Sequence, residues 1–262
     1  AIKAKSSALS EIACNELLEK ADADIMERAR LRLVSREIES QRNLEAIAEF
    51  ALINLPETVS ENPVDDDWRR HFFGTAENIS DESMQLLWGK VLAGEVSNPG
   101  SFSIRTLNVL RSISKTEAEK FRLACRLAFA SGFIVKLECN FTKMHSKFGL
   151  IYNDLLALRD AGLLHEHDKL QQPFTEEEDV LVNNGIILKL SSKNLQNIPF
   201  EVFKFSSAGR ELQKLIEPDP LVPYLNILVA HFRNNGIFVE RLTDTEIIDG
   251  VSVDSFTYFT EL

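Results

Sequence analysis

The sequence is poor in the features that announce most functions. It has three cysteines, Cys14, Cys125 and Cys139, at no close spacing. That excludes a disulfide scaffold and a zinc knuckle, and it reads as free thiols in a reducing cytoplasm. No apolar run reaches the roughly 18 residues that a membrane span needs, so no membrane contact is expected of this chain. Eight prolines and eleven glycines are too few for a disordered or repeat-built polypeptide. Two tryptophans and three tyrosines, against seventeen phenylalanines, favour apolar packing over a wet aromatic recognition surface. There is no Walker-type loop, no dinucleotide glycine loop and no G-x-S-x-G elbow.

Positive charge is also in deficit. The 29 Lys and Arg face 40 Asp and Glu, a net charge of -11, which counts against a general nucleic-acid binder. The average conceals a contrast. Residues 101–150 carry nine basic against three acidic residues, net +6, and residues 151–180 carry two against eight, net -6. Internal pairing or plain solvated faces account for this; two opposed faces of a binding module are the alternative. If nucleic acid binds at all, Lys136, Lys143 and Lys147 would supply phosphate contacts ahead of the helix read in "LIYNDLLALRD".

What the chain does have is helix. Residues 7–55 hold no proline or glycine and are rich in Ala, Leu, Glu and Arg, so residues 1–56 are expected to form a long helical arm or coiled coil, in which Asp22-Ala23-Asp24 could be a hinge. Residues 57–132 read as a helical bundle of short, capped pieces. Asp65 to Asp67 suit one helix start, Ser80 another, and Ser114-Lys115-Thr116-Glu117 fits a capping box. Met84, Leu87, Trp88, Val91 and Leu92 make an apolar stripe, beside Gly89 and Gly94. "SNPG" is a turn, and Ser101 or Ser103 restarts a helix. Residues 133–262 change character: strand candidates in "FIVKLEC", "VLVNNGIILKLS" and "EVFKFS" alternate with helices, the order of a winged-helix-like α+β domain. The expected fold class is therefore mainly α, an arm and a bundle followed by that domain.

Chemistry has few places to hide. "HEHD", with His165 and His167, could in principle seat a metal, but no third histidine has supporting spacing, and a solvated acidic surface explains it better. Asp65, Asp66 and Asp67 with Glu95 could form a carboxylate magnesium site only if they converge; consecutive aspartates diverge, and helix capping accounts for them. Ser101 and Ser103 have no recognisable base. No catalytic residue, metal ligand or cofactor is therefore assigned. Arg105, directly after the turn, would bridge to Glu95 or to Asp65–Asp67 and set the helix corner.

The segments "SREIESQRNLEAIAEFAL", "NPVDDDWRRHFF" and "ISDESMQLLWGKVLAGEVSNPGSFSIRTL" together resemble an uncharacterised bacterial domain family of unknown function, over about residues 35–130. The family pattern falls on Asp67, Trp68, Phe72, Phe73, Trp88, Leu92, Gly94, Glu95, Pro99, Gly100, Phe102, Arg105 and Thr106. The resemblance implies no activity; it implies kinship with proteins linked to abortive infection and other anti-phage or mobile-element functions.

These readings lead to a non-enzymatic, cytoplasmic interaction or scaffold protein, homo-oligomeric through its arm and open to a further protein partner. Asp67, Trp68, Trp88, Glu95, Ser101, Ser103 and Arg105 are its structural or partner-binding candidates. A DNA-binding winged-helix regulator is the first alternative, and a metal-dependent nuclease or other hydrolase the second.

Overall fold

A computed structural model describes residues 2–137, 145–167, 170–174, 176–195, 198, 200–242, 246–248, 251–253 and 256–258. For 2–19, 21–22, 145 and the three short segments after 245, the description is of the backbone alone. The protein is mainly helical, with a smaller α+β part that carries short antiparallel sheets. By its contacts the chain divides into two units, one of residues 1–55 and 72–93, the other of residues 56–71 and 94–262.

The first unit is built on α1 (Ile2–Asn54), a single helix of 53 residues that Pro56 follows two positions on. The hinge expected at Asp22-Ala23-Asp24 is absent: the helix runs straight through, because nothing there removes a backbone donor or forces a positive φ. At 1.5 Å per residue it is about 80 Å long. Its last turns bury Ser40, Ile47 and Ala51, whereas every described side chain from Asp24 to Glu39 is exposed except the half-buried Ala29.

The chain enters this unit again within α2 (Asp66–Ala76) and leaves it within α3 (Glu82–Ser97). Trp88 is wholly buried, its ring 5.2 Å from that of Phe72. Gly89 lets α3 approach α1: a Cβ there would stand 2.5 Å from the Phe50 Cβ and 3.0 Å from the Ala51 nitrogen. Polar ties join α3, α1 and the connection between α2 and α3. Gln85 Nε2 donates to the Ile79 carbonyl at 2.8 Å and to Asn43 Oδ1 at 3.2 Å, and Asn43 Nδ2 donates to the Glu77 carbonyl at 2.9 Å. The cap of α3 is Asp81 and not Ser80; its carboxylate accepts from the Met84 amide at 3.1 Å and from the Ser83 hydroxyl.

The second unit contains α4 (Ile104–Ser112) and α5 (Lys115–Leu127), the latter opened by the expected Ser114–Glu117 capping box. Then follow β1 (Phe133–Val135), a single 3-10 turn (His145–Phe148), α6 (Tyr152–Asp160), β2 (Leu170–Gln172), β3 (Glu178–Asn183), β4 (Ile186–Ser191) and β5 (Phe200–Lys204). Strands β1, β5 and β2 form an antiparallel sheet in that order. Helix, strand, helix, strand, hairpin, strand around such a sheet is the winged-helix-like arrangement, with β3 and β4 as the wing.

That wing is enlarged. After α7 (Ser207–Gln213) and α8 (Val222–Asn234), β6 (Phe238–Leu242) pairs with β4, and β9 (Phe256–Tyr258) with β6; β7 (Glu246–Ile248) and β8 (Val251–Val253) form a separate pair. In β4 the alternate residues Ile186, Leu188 and Leu190 are buried, the period expected of a strand with one face on a core. Helix α8 buries Tyr224, Leu225, Leu228, Val229 and Phe232.

Candidate functional site: the Glu95 corner and the winged-helix face

The "SNPGSFS" turn between α3 and α4 is held by side chains from three directions. Glu95 is 1% exposed, and its two carboxylate oxygens accept separately, from the Gly100 amide at 2.6 Å and the Phe102 amide at 2.9 Å. The Trp68 indole donates to the Phe102 carbonyl at 2.7 Å, and Ser101 Oγ donates to the Asn98 carbonyl at 2.6 Å. Gly100 has a φ of 88°, which favours glycine, and a Cβ on Gly94 would stand 2.7 Å from the Phe102 ring.

The third direction is α7. Ser103 caps α4, its Oγ accepting from the Thr106 amide at 3.3 Å. Glu211 lies over that helix start, where a carboxylate is favoured by the dipole. One oxygen of Glu211 accepts from the Ser103 amide at 2.7 Å, from Ser103 Oγ at 3.2 Å and from Thr106 Oγ1 at 2.5 Å. Nothing local announces Glu211, since its partners lie 105 and 108 positions away in the chain.

Other expected residues sit differently. Arg105 is exposed and forms no ion pair with a described residue, so the expected bridge to Glu95 is replaced by backbone amides. Asp65 caps α2, accepting from the Asp67 and Trp68 amides at 3.0 and 2.9 Å. Asp66 and Asp67 pair with Arg69 and Arg70 one turn on, at 2.9 and 3.5 Å, with the Asp67 side chain 81% exposed. Asp65, Asp66 and Glu95 do line one open depression of about 750 Å³, with Trp68, Phe102 and Ser103; Asp67 is not among its walls. Among the described residues no three His, Cys, Asp or Glu are grouped to hold a metal ion. His165 and His167 are exposed, and Asp168 lies outside the described residues. Chemically the corner is saturated: its buried carboxylate and its two serines are spent on the turn itself.

Of the three lysines expected to contact phosphate, one is engaged within the chain. Lys136 pairs with Glu201 at 3.5 Å and lies 4.5 Å from the centre of the Phe203 ring, so this ammonium is not an open phosphate contact. Lys147 is exposed, and Lys143 lies outside the described residues. On α6, Asp154 caps the helix through the Ile151 amide at 2.9 Å and pairs with Lys120 at 3.2 Å. Glu178, at the start of β3, pairs with Lys189 at 2.8 Å.

The wing tip is engaged as well. Asn184 and Gly185 both have positive φ, 47° and 84°, the turn that Asn-Asn-Gly suggests. Asn184 Nδ2 donates to the Arg126 carbonyl at 2.8 Å and Asn183 Nδ2 to the Ala128 carbonyl at 2.9 Å, so the hairpin is stapled to the C-terminal end of α5. Beside that staple, Cys125, Ser131, Asn184, Arg210 and Gln213 help line a hollow of about 630 Å³. Cys125 is buried, and burial pushes its thiol far above the ordinary range, which leaves it protonated and inert.

A family model for a protein of unknown function (DUF2806) matches residues 27–229. The chain belongs to that family. The DUF2806 match takes in the end of the arm, the Glu95 corner, the winged-helix-like part and most of α8. No curated protein and no solved structure matches this DUF2806 chain significantly. No helix among its described residues is long and apolar enough to cross a membrane.

Proposed function

We propose that this DUF2806 protein is a non-enzymatic interaction module of the bacterial cytoplasm that self-associates through its helical arm. One observation carries the reading: Ile25, Met26, Leu31, Leu33, Val34 and Ile38 are 49–70% exposed on a stretch of α1 that has no packing partner among the described residues. Apolar surface of that extent on a continuous helix favours a covered state over a solvated one. The corner agrees, since its buried Glu95 and its two serines are engaged in holding the turn. Light scattering of the intact chain at micromolar concentration tests the proposal. A dimer or larger species is expected, and a monomer would overturn it.

The resemblance to abortive-infection proteins extends the proposal to phage defence. Plaque counts on cells with and without the gene test that extension, and equal plaquing would remove it.

A DNA-binding regulator is the second reading, favoured by the β1-β5-β2 sheet with α6 ahead of the hairpin. The committed Lys136, the stapled wing tip and the net charge of -11 count against it. A gel shift with duplex DNA at about 50 mM salt separates the two readings, and salt-sensitive binding would favour DNA.

A further inference from the structure

We propose that the arm pairs with a second copy of itself in antiparallel orientation, along a seam on which Leu31 of one copy lies opposite the partner's Val34. The inference rests on the self-association read above and adds the direction and register of the pair.

The seam follows from spacing. Leu31, Val34 and Ile38 are three and four residues apart, the interval that keeps one helical face toward a partner. They are 60%, 50% and 49% exposed. Continued at the same interval the face carries Lys20, Asp24 and Glu27 before them and Gln41 and Glu45 after them, all exposed. The buried Ser40, Ile47 and Ala51 lie on the other side of the helix and leave this face unoccupied.

Charge decides the direction. In a parallel, in-register pair each seam residue meets its own copy. Lys20 would face lysine, Asp24 aspartate, and Glu27 and Glu45 glutamate, four like-charged layers that each oppose association. In the antiparallel pair centred between Leu31 and Val34 every one of these clashes is removed. Lys20 meets the partner's Glu45, Asp24 the partner's Gln41, Glu27 the partner's Ile38 and Leu31 the partner's Val34. Each layer occurs twice by symmetry. The flanks agree: Arg30 meets the partner's Glu37 on one side and Arg28 the partner's Ser35 on the other, again without like charges opposed. Arg30 is available for this, because among the described residues its only ion pair is the long 4.0 Å contact to Glu27, with both side chains largely exposed.

The test uses the full chain with Cys14 and Cys139 replaced by serine and the buried Cys125 kept. Asp24→Cys alone should form no disulfide dimer, whereas an equal mixture of Asp24→Cys and Gln41→Cys chains of different tag length should cross-link to each other. In parallel, Glu37→Arg should weaken the dimer about tenfold by turning two attractions into two repulsions. Arg30→Glu with Glu37→Arg should restore it. Asp24, Arg30, Glu37 and Gln41 are exposed, so their substitution leaves folding intact. A dimer in which Asp24→Cys links to itself, or in which the charge exchange fails to restore affinity, overturns the register while self-association stands. A monomer at every concentration overturns both.

Discussion

Phe102 is gripped at both ends of its own peptide framework: its amide donates to Glu95 at 2.9 Å, and its carbonyl accepts from Trp68 at 2.7 Å. The turn is therefore fixed by two side chains from the two helices that precede it in sequence, α2 and α3. Glu95→Ala should cost about 2–4 kcal/mol, because two amides lose a charged acceptor in a buried place. Glu95→Gln should cost about 1–3 kcal/mol, since one amide then meets an amide nitrogen. Urea unfolding of both variants measures this. A change within a few tenths of a kcal/mol would show that the turn is held by other means.

Glu211 makes a second, separable prediction. Glu211→Ala releases the Ser103 amide and two hydroxyls at the start of α4 and should cost about 1–2 kcal/mol. Ser101→Ala loses only an exposed bond to the Asn98 carbonyl and should stay within about 0.5 kcal/mol. Comparing the two midpoints is the check, and equal losses would contradict the assignment of Glu211.

Gly89 should resist the smallest enlargement. Alanine has the better helix propensity by about 1 kcal/mol, yet its methyl would press on the Phe50 Cβ at 2.5 Å. Overpacking of that kind costs about 1–3 kcal/mol, and more where backbone must move. Gly89→Ala should therefore lower the melting temperature; a rise would mean that α1 gives way freely.

Acid should weaken the fold partly through His231. The ring lies against Phe200 and Phe232, with centroids 6.0 and 6.3 Å away, and burial lowers its pKa below the ordinary 6.5. The unfolded chain then binds the proton first as pH falls. Stability is full above about 6.5 and declines as pH drops toward the folded value. His231→Gln should lose less of its urea midpoint than the parent between pH 7.5 and 5.5. An identical loss in both chains would exclude the histidine.

Much of this fold was legible because its signals are local. The capping box at Ser114, the Asn-Asn-Gly hairpin and the proline-free arm each depend on residues a few positions apart, and each appears where it was expected. The helix-to-hairpin order also led to the winged-helix-like part. The corner was half legible. Glu95 and Trp68 were singled out, but their partners are backbone groups, which carry no side-chain signature. Arg105 was expected at Glu95 because charge suggests charge, yet two amides satisfy the carboxylate without burying a guanidinium. Glu211 was missed since only the folded chain brings α7 to α4. The discontinuous make-up of the two units, each drawing on separate stretches of chain, is likewise invisible to a linear reading.

The exposed face of α1 has a consequence for how the protein is controlled. Nothing among the described residues covers Leu31, Val34 and Ile38, and a cover supplied by a second chain would occupy them by mass action. If a second copy supplies the cover, as proposed above, the state of the arm would be a matter of dosage, bare in dilute chains and covered in abundant ones.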